Sequence, residues 1–298
     1  MKKTTFYDEI GRNKRNSILL GILIFSFLIG LVYIISQILA PELSLMFLIF
    51  AGIFMLIYTY SSYMYGDKVV LASTKAKLIK EDDRRYTHLI NVVDGLSIAA
   101  GIPKPKIYVI ESDEINAFAT GRNPKHSSVA VTTGLLKNLK RDEIEGVIGH
   151  ELSHIRNYDI RFATFVAVLV GLIAILSYMF RRTLWYGGGR KGEKDRGGLL
   201  LVIGIILAIF APIIVRLVQL AISRKREYLA DSSSVELTRY PDGLASALEK
   251  IKNINKGKMK VSEAVSHLFF TDPNKTGLDS LYATHPPIEK RIKILRSM

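Results

Sequence analysis

Residues 149–159 read Gly149-His150-Glu151-Leu152-Ser153-His154-Ile155-Arg156-Asn157-Tyr158-Asp159, and the fold turns on them. Just upstream and through this stretch, Ile144, Val147, Ile148, Leu152 and Ile155 recur at the spacing of one helix face, and Asp142 with Glu145 three residues on reads as a capping box that opens the helix. Positions i and i+4 of a helix share a face, so His150 and His154 can present two imidazoles to one divalent ion such as Zn²⁺. Glu151 follows the first histidine, where its carboxylate reaches a water at the metal and can act as a base. A closed structural zinc site needs no such base.

Two histidines leave a catalytic zinc short of a ligand, because such sites use three protein ligands and keep one position open. The extended H-E-x-x-H-x-x-G-x-x-H pattern is excluded, since Asn157 and Ile160 stand where it requires Gly and His. A glutamate on a later helix is the alternative, and Glu227 in Arg226-Glu227-Tyr228-Leu229-Ala230-Asp231 is a candidate. Asp231 lies one turn on, suited to accept a hydrogen bond from a ligand histidine. On spacing alone, both carboxylates read equally well as a solvated helix face.

Outward from this helix, hydropathy divides the chain. Of 298 residues, 49% are apolar while 23% are charged, so the apolar residues must be gathered in blocks. Four charge-free stretches, Asn16–Pro41, Leu43–Gly66, Phe162–Phe180 and Gly197–Val215, are each long enough to span, given about 20 residues for a hydrocarbon core of roughly 30 Å. The first follows a basic leader and is succeeded at once by the second, which reads as a retained anchor rather than a cleaved signal. The connection between them has no Lys or Arg while both outer flanks are basic, which places those flanks in the cytoplasm. The net charge of +14 belongs with this topology; no nucleic-acid motif accompanies it, and no nucleic-acid partner is expected. The absence of cysteine removes thiolate ligands, thiol nucleophiles and disulfides.

The expected organisation is a transmembrane hairpin over residues 1–66, a cytoplasmic part over 67–159, a second hydrophobic hairpin over 160–222, and a cytoplasmic part over 223–298. Within the second part, Leu89 to Ala99 forms a helix closed by Gly101 and Pro103, Lys106–Ile110 a strand, and Ile115–Thr120 with Ser127–Thr133 an antiparallel hairpin. Two further helices follow, over Leu244–Ile254 and after Pro287. The fold class is therefore mainly α with a small antiparallel β element, combined with about four transmembrane helices. For a shared metal site, the tip Arg181–Arg196 must face outward with six basic residues against two acidic ones, contrary to the positive-inside rule. His88, His126 and His267 have no metal-site context and read as surface residues.

Several motifs in order resemble the HtpX-type membrane metallopeptidases, relatives of the Ste24 CaaX proteases. They are the basic leader with two spans, Asn116-Ala117-Phe118-Ala119-Thr120-Gly121, the Gly149–Asp159 stretch, Arg226-Glu227 through Asp231, and Thr284-His285-Pro286-Pro287 with Arg291. The resemblance covers nearly the whole chain. It implies a zincin-like metallopeptidase domain and one zinc ion per chain on His150, His154 and Glu227. It also implies an active site facing the cytoplasm from the cell membrane, and protein substrates that are damaged or misfolded, membrane proteins among them. On the same ground, the strand at Asn116 and Ala117 is expected to pair with substrate, and His285 to approach the reaction centre.

Overall fold

The computed structural model describes residues 41–168, 224–257, 259, 261–273 and 286–298, with single positions between 15 and 37. Most of the first apolar stretch, the fourth, the third beyond residue 168, the tip at Arg181–Arg196 and His285 lie outside the described residues. Helix α1, Ser44–Ser73, follows a 3₁₀ turn at Pro41–Leu43. With that turn it forms a 33-residue element containing an 18-residue window of mean hydropathy 2.1, long and apolar enough to cross a membrane. At 1.5 Å per residue it reaches about 50 Å, longer than the hydrocarbon core. Its C-terminal end is packed into the protein, where Val70 and Leu71 are buried. Among the described residues this is the one candidate span; the other three expected spans lie wholly or partly outside the described residues.

Four strands form one sheet in the order β1-β2-β4-β3, with β1 Lys77–Leu78, β2 Lys106–Ile110, β3 Ala117–Asn123 and β4 His126–Thr132. Strands β3 and β4 form the expected hairpin, with Ala117 opposite Val131. The sheet is nevertheless mixed, because β2 runs parallel to β4 with Ile107 opposite Val129. The antiparallel expectation is corrected on this point: the chain crosses over between β2 and the hairpin, and a parallel neighbour leaves no local turn signal to read. Alternation sends Ala117, Ala119, Val129 and Val131 to one face and Phe118 and Ala130 to the other.

The first face carries the main core. Against it pack α2 (Thr87–Ala100), α4 (Arg141–Arg156) and α6 (Pro241–Ile254), through Leu89, Val93, Ile144, Ile148, Leu152, Leu244 and Leu248; α3 is the short helix Thr133–Asn138. Helix α2 ends at Gly101 with φ 65°, the left-handed cap that glycine accepts without a Cβ penalty. The second face is covered by the end of α1, by Ala167, and by Val265, Leu268 and Phe269 in and after α7 (Glu263–Ser266). Helices α5 (Arg224–Thr238) and α8 (Ile288–Leu295) complete the described fold.

Helix α4 begins two residues earlier than a cap at Asp142 requires. Lys140 precedes it, and the Lys140 backbone N–H donates to Glu143 Oε2 at 2.6 Å, so Glu143 takes the part assigned to Glu145. Asp142 lies inside the first turn, where a carboxylate still favours the helix dipole.

Candidate active site

Helix α4 is amphipathic in an unusual sense, with both faces buried. Its apolar face enters the core, while His150, Glu151 and Ser153 are also buried because α5 and the His267–Phe270 segment lie across them. Close approach of the helices is possible because glycines stand at the crossings. A Cβ on Gly149 would lie 2.8 Å from Ser234 Oγ on α5, and one on Gly146 would lie 2.7 Å from the Leu244 nitrogen on α6. Ser234 Oγ–H donates to the Gly146 carbonyl at 2.6 Å, pinning α5 to α4.

This crossing carries Glu227 to the histidines. Nε2 of His150 and Nε2 of His154 are 3.1 Å apart, and Glu227 Oε2 and Oε1 lie 3.7 and 3.5 Å from them respectively. With one ligand atom from each residue, the three lie within 4.8 Å of one another, so the set could hold one metal ion, and two imidazoles with a carboxylate are the donor types of a zinc site. Glu151, buried, lines the same cavity beside Asp159, Arg226, Glu227 and His267.

The other nitrogen of each histidine is held by a carboxylate. His150 Nδ1 lies 2.9 Å from Asp231 Oδ1, and His154 Nδ1 lies 3.0 Å from Asp159 Oδ2. Donation from Nδ1 turns each Nε2 toward the cluster. Arg291, fully buried on α8, grips Asp231 through Nε–H to Oδ2 at 2.9 Å and Nη2–H to Oδ1 at 2.6 Å, while its Nη1 lies 3.9 Å from Glu227 Oε2. Burial would raise the Asp231 pKa, but the Arg291 charge and these hydrogen bonds bring it down to about 2. His150 moves the other way: burial pushes it down to about 4, against the hydrogen bond to Asp231. For His154 burial also favours the neutral ring, yet the hydrogen bond to Asp159 and the charges of Glu227 and Glu151 outweigh it and raise its pKa to about 9.

Asp159 and Arg291 stood in the quoted motifs without a role. Asp159 reaches back because α4 stops at Arg156 and Tyr158 takes φ 60° before helix resumes at 159–168. His267 is a correction: it is buried, at 4% exposure, and its Nε2 meets the Ala163 carbonyl at 3.2 Å, whereas His88 and His126 are exposed. A histidine after a four-residue helix offers no periodicity from which burial can be read. Asn116, fully buried, and Ala117 lie at the edge of the sheet beside residues 269–271.

A buried H-E-x-x-H helix joined by a glutamate from a crossing helix, beside a small mixed sheet, is the arrangement of a metallopeptidase. The chain belongs to peptidase family M48, which matches residues 83–298, and within it to the HtpX-type proteases. It is 47% identical over 255 residues to the protein named protease HtpX homolog of Caldanaerobacter subterraneus subsp. tengcongensis, 84% of each chain. The protein of the same name from Streptococcus uberis is 43% identical over 298 residues, 98% of this chain and 99% of that one. The crystal structure of S. mikatae Ste24p aligns with a TM-score of 0.48 and 17% identity, covering 96% of this chain and 66% of that one. The protein is thus a membrane-associated metalloprotease, of a family typically dependent on zinc.

Proposed function

We propose that this chain is a multi-pass zinc endopeptidase of the cytoplasmic membrane that hydrolyses damaged or misfolded proteins, membrane proteins among them, from a site facing the cytoplasm. The observation that carries the reading is the convergence of His150, His154 and Glu227 from two helices beside the buried carboxylate of Glu151. His150, His154 and Glu227 would hold one zinc ion per chain, which when bound would supply acidification of a water and polarisation of a peptide carbonyl. Glu151 takes the proton of the attacking water and gives it to the amine as the C–N bond breaks. Asp231 and Asp159 keep the imidazoles aimed, and Arg291 keeps Asp231 ionised and in place. Asn116 and Ala117 border the peptide, and His285 is a candidate donor to the oxyanion, an effect typically worth about 3–4 kcal/mol.

Casein hydrolysis by the purified, detergent-solubilised protein tests this reading. Wild type is expected to cleave, to stop on chelation and to recover with zinc. Glu151→Gln is expected to keep stoichiometric zinc and lose turnover by about 10²- to 10⁴-fold or more, because it removes the base and no ligand. Wild-type turnover in the zinc-loaded Gln variant would refute the assignment.

A further inference from the structure

The cavity at the metal cluster measures about 50 Å³, room for a few waters and too little for an extended peptide. One side of it is lined by His267, Leu268, Phe269 and Phe270, and this segment lies along the edge of β3. The Phe270 N–H donates to the Ala117 carbonyl at 2.8 Å, Phe118 and Phe269 form an antiparallel bridge, and their rings meet edge to face at 4.8 Å. The Asn116 side chain ties the next residue from both sides: its Nδ2–H donates to the Thr271 carbonyl at 2.9 Å, and its Oδ1 accepts from the Thr271 N–H at 3.2 Å. Phe270 packs against His150 itself, with centroids 4.8 Å apart. Farther along the strand, the Gly121 N–H is taken by Thr164 Oγ1 at 3.1 Å. The edge is therefore closed on both sides of Ala119, which faces the cavity.

An exposed edge strand receives an extended chain through main-chain hydrogen bonds. Here the groups that would receive it hold a segment of the same protein. We propose that Leu268–Thr271 is an internal strand standing in the substrate's place, which an extended apolar segment of a substrate displaces by strand exchange. The inference rests on the peptidase reading of the site. The chemistry of the occupant defines the partner: Leu268, Phe269 and Phe270 bury apolar side chains on the two faces of the edge, so the displacing chain brings consecutive apolar or aromatic residues. A folded polar surface, or a polar loop, offers nothing to exchange for two buried rings. The internal strand is held by an isolated bridge rather than a continuous ladder, which leaves a longer incoming strand with more main-chain bonds to form. The site thereby excludes folded proteins and admits unfolded apolar ones.

A disulfide tests the exchange, and the cysteine-free chain makes it unambiguous. The bond from Phe270 N to Ala117 O flanks the Phe118–Phe269 pair, so the two residues face each other without mutual hydrogen bonds, at about 4.5 Å between Cα atoms, within disulfide range. In Phe118→Cys/Phe269→Cys, the oxidised protein is expected to cleave casein at least tenfold more slowly than the same preparation reduced with a phosphine, at equal zinc content. Equal rates in the two states would overturn the inference and leave the peptidase reading intact. Wild type unable to cleave casein would overturn both. Should the reduced double variant be inactive through misfolding, hydrogen exchange on zinc-loaded Glu151→Gln decides. Saturating unfolded casein is expected to raise exchange over 268–271 severalfold while Ala117–Ala119 stays protected; unchanged or greater protection of 268–271 with casein bound would refute displacement.

Discussion

His150 and His154 are one helical turn apart and chemically unlike. Without metal, His154 is the protonated partner, with a pKa of about 9, and His150, at about 4, is neutral. Its Nε2–H then donates to His150 Nε2 at 3.1 Å, and the charge sits between Asp159 and Glu227. A metal ligand must be neutral imidazole, so zinc displaces that proton. The sign follows: between the ordinary histidine pKa near 6.5 and about 9, the folded site holds a proton that zinc must expel. Zinc binding at pH 7.5 is therefore expected to release about one proton from His154, and affinity is expected to fall about tenfold per pH unit as pH drops below 9. Calorimetry of zinc binding in buffers of different ionisation enthalpy measures this directly; binding without proton release at pH 7.5 would contradict the arrangement.

Between elements, the site depends on how closely α5 and α6 cross α4, and glycine sets that distance. Gly146 lies against backbone atoms of α6, with Leu244 N at 2.7 Å and Leu244 Cα at 2.8 Å from the place a Cβ would take. Backbone cannot rotate away as a side chain can. Gly146→Ala is expected to destabilise by about 1–3 kcal/mol, as overpacked cores do, and to lower zinc occupancy by separating the helices. Gly95, on the exposed face of α2 with nothing within 4 Å, is the control: its change to Ala is expected to stabilise by about 0.5–1 kcal/mol. Thermal melts with zinc analysis distinguish the two, and a neutral Gly146→Ala would show that the crossing is slack.

At the scale of the whole molecule, a helix long and apolar enough to cross a membrane leads into the peptidase domain. Phe50, Phe54, Leu56 and Ile57 are more than half exposed, an apolar surface that water disfavours and lipid covers. The same helix ends with Val70 and Leu71 packed beneath the sheet. The peptidase domain thus begins directly at the end of this helix, with β1 only four residues beyond it. Lys68, Lys75, Lys77 and Lys80 follow the apolar window, the basic flank on which the proposed cytoplasmic orientation rests. Lys75→Cys, the sole cysteine in the chain, is expected to resist a membrane-impermeant maleimide in intact cells and to label in inverted vesicles. Labelling in intact cells would reverse the orientation.

Local chemistry was legible because it is periodic or punctuated. The 3.6-residue recurrence over Ile144–Ile155 predicts a helix that brings His150 and His154 to one face whatever surrounds it. Gly101 marks the end of α2, Pro124 the turn of the hairpin, and the charge-free run after Pro41 a helix able to cross a membrane. Long-range pairing leaves no such mark. The parallel β2–β4 register, the salt bridge from Arg291 on the last helix to Asp231, and the burial of His267 each join residues whose neighbours in sequence say nothing of the contact. The distance from Glu227 to the histidines is of this kind, since it depends on a helix crossing that Gly146 and Gly149 permit but do not announce. So is the segment Leu268–Thr271: four residues are too short for a periodic signal, and only packing against Phe118 and Asn116 bridges them to the edge of the sheet. Sequence alone determined which groups can do the chemistry, because residue identity and helical spacing are local; tertiary structure decided which carboxylates meet them and what covers them, because those contacts arise only when distant segments bury one another.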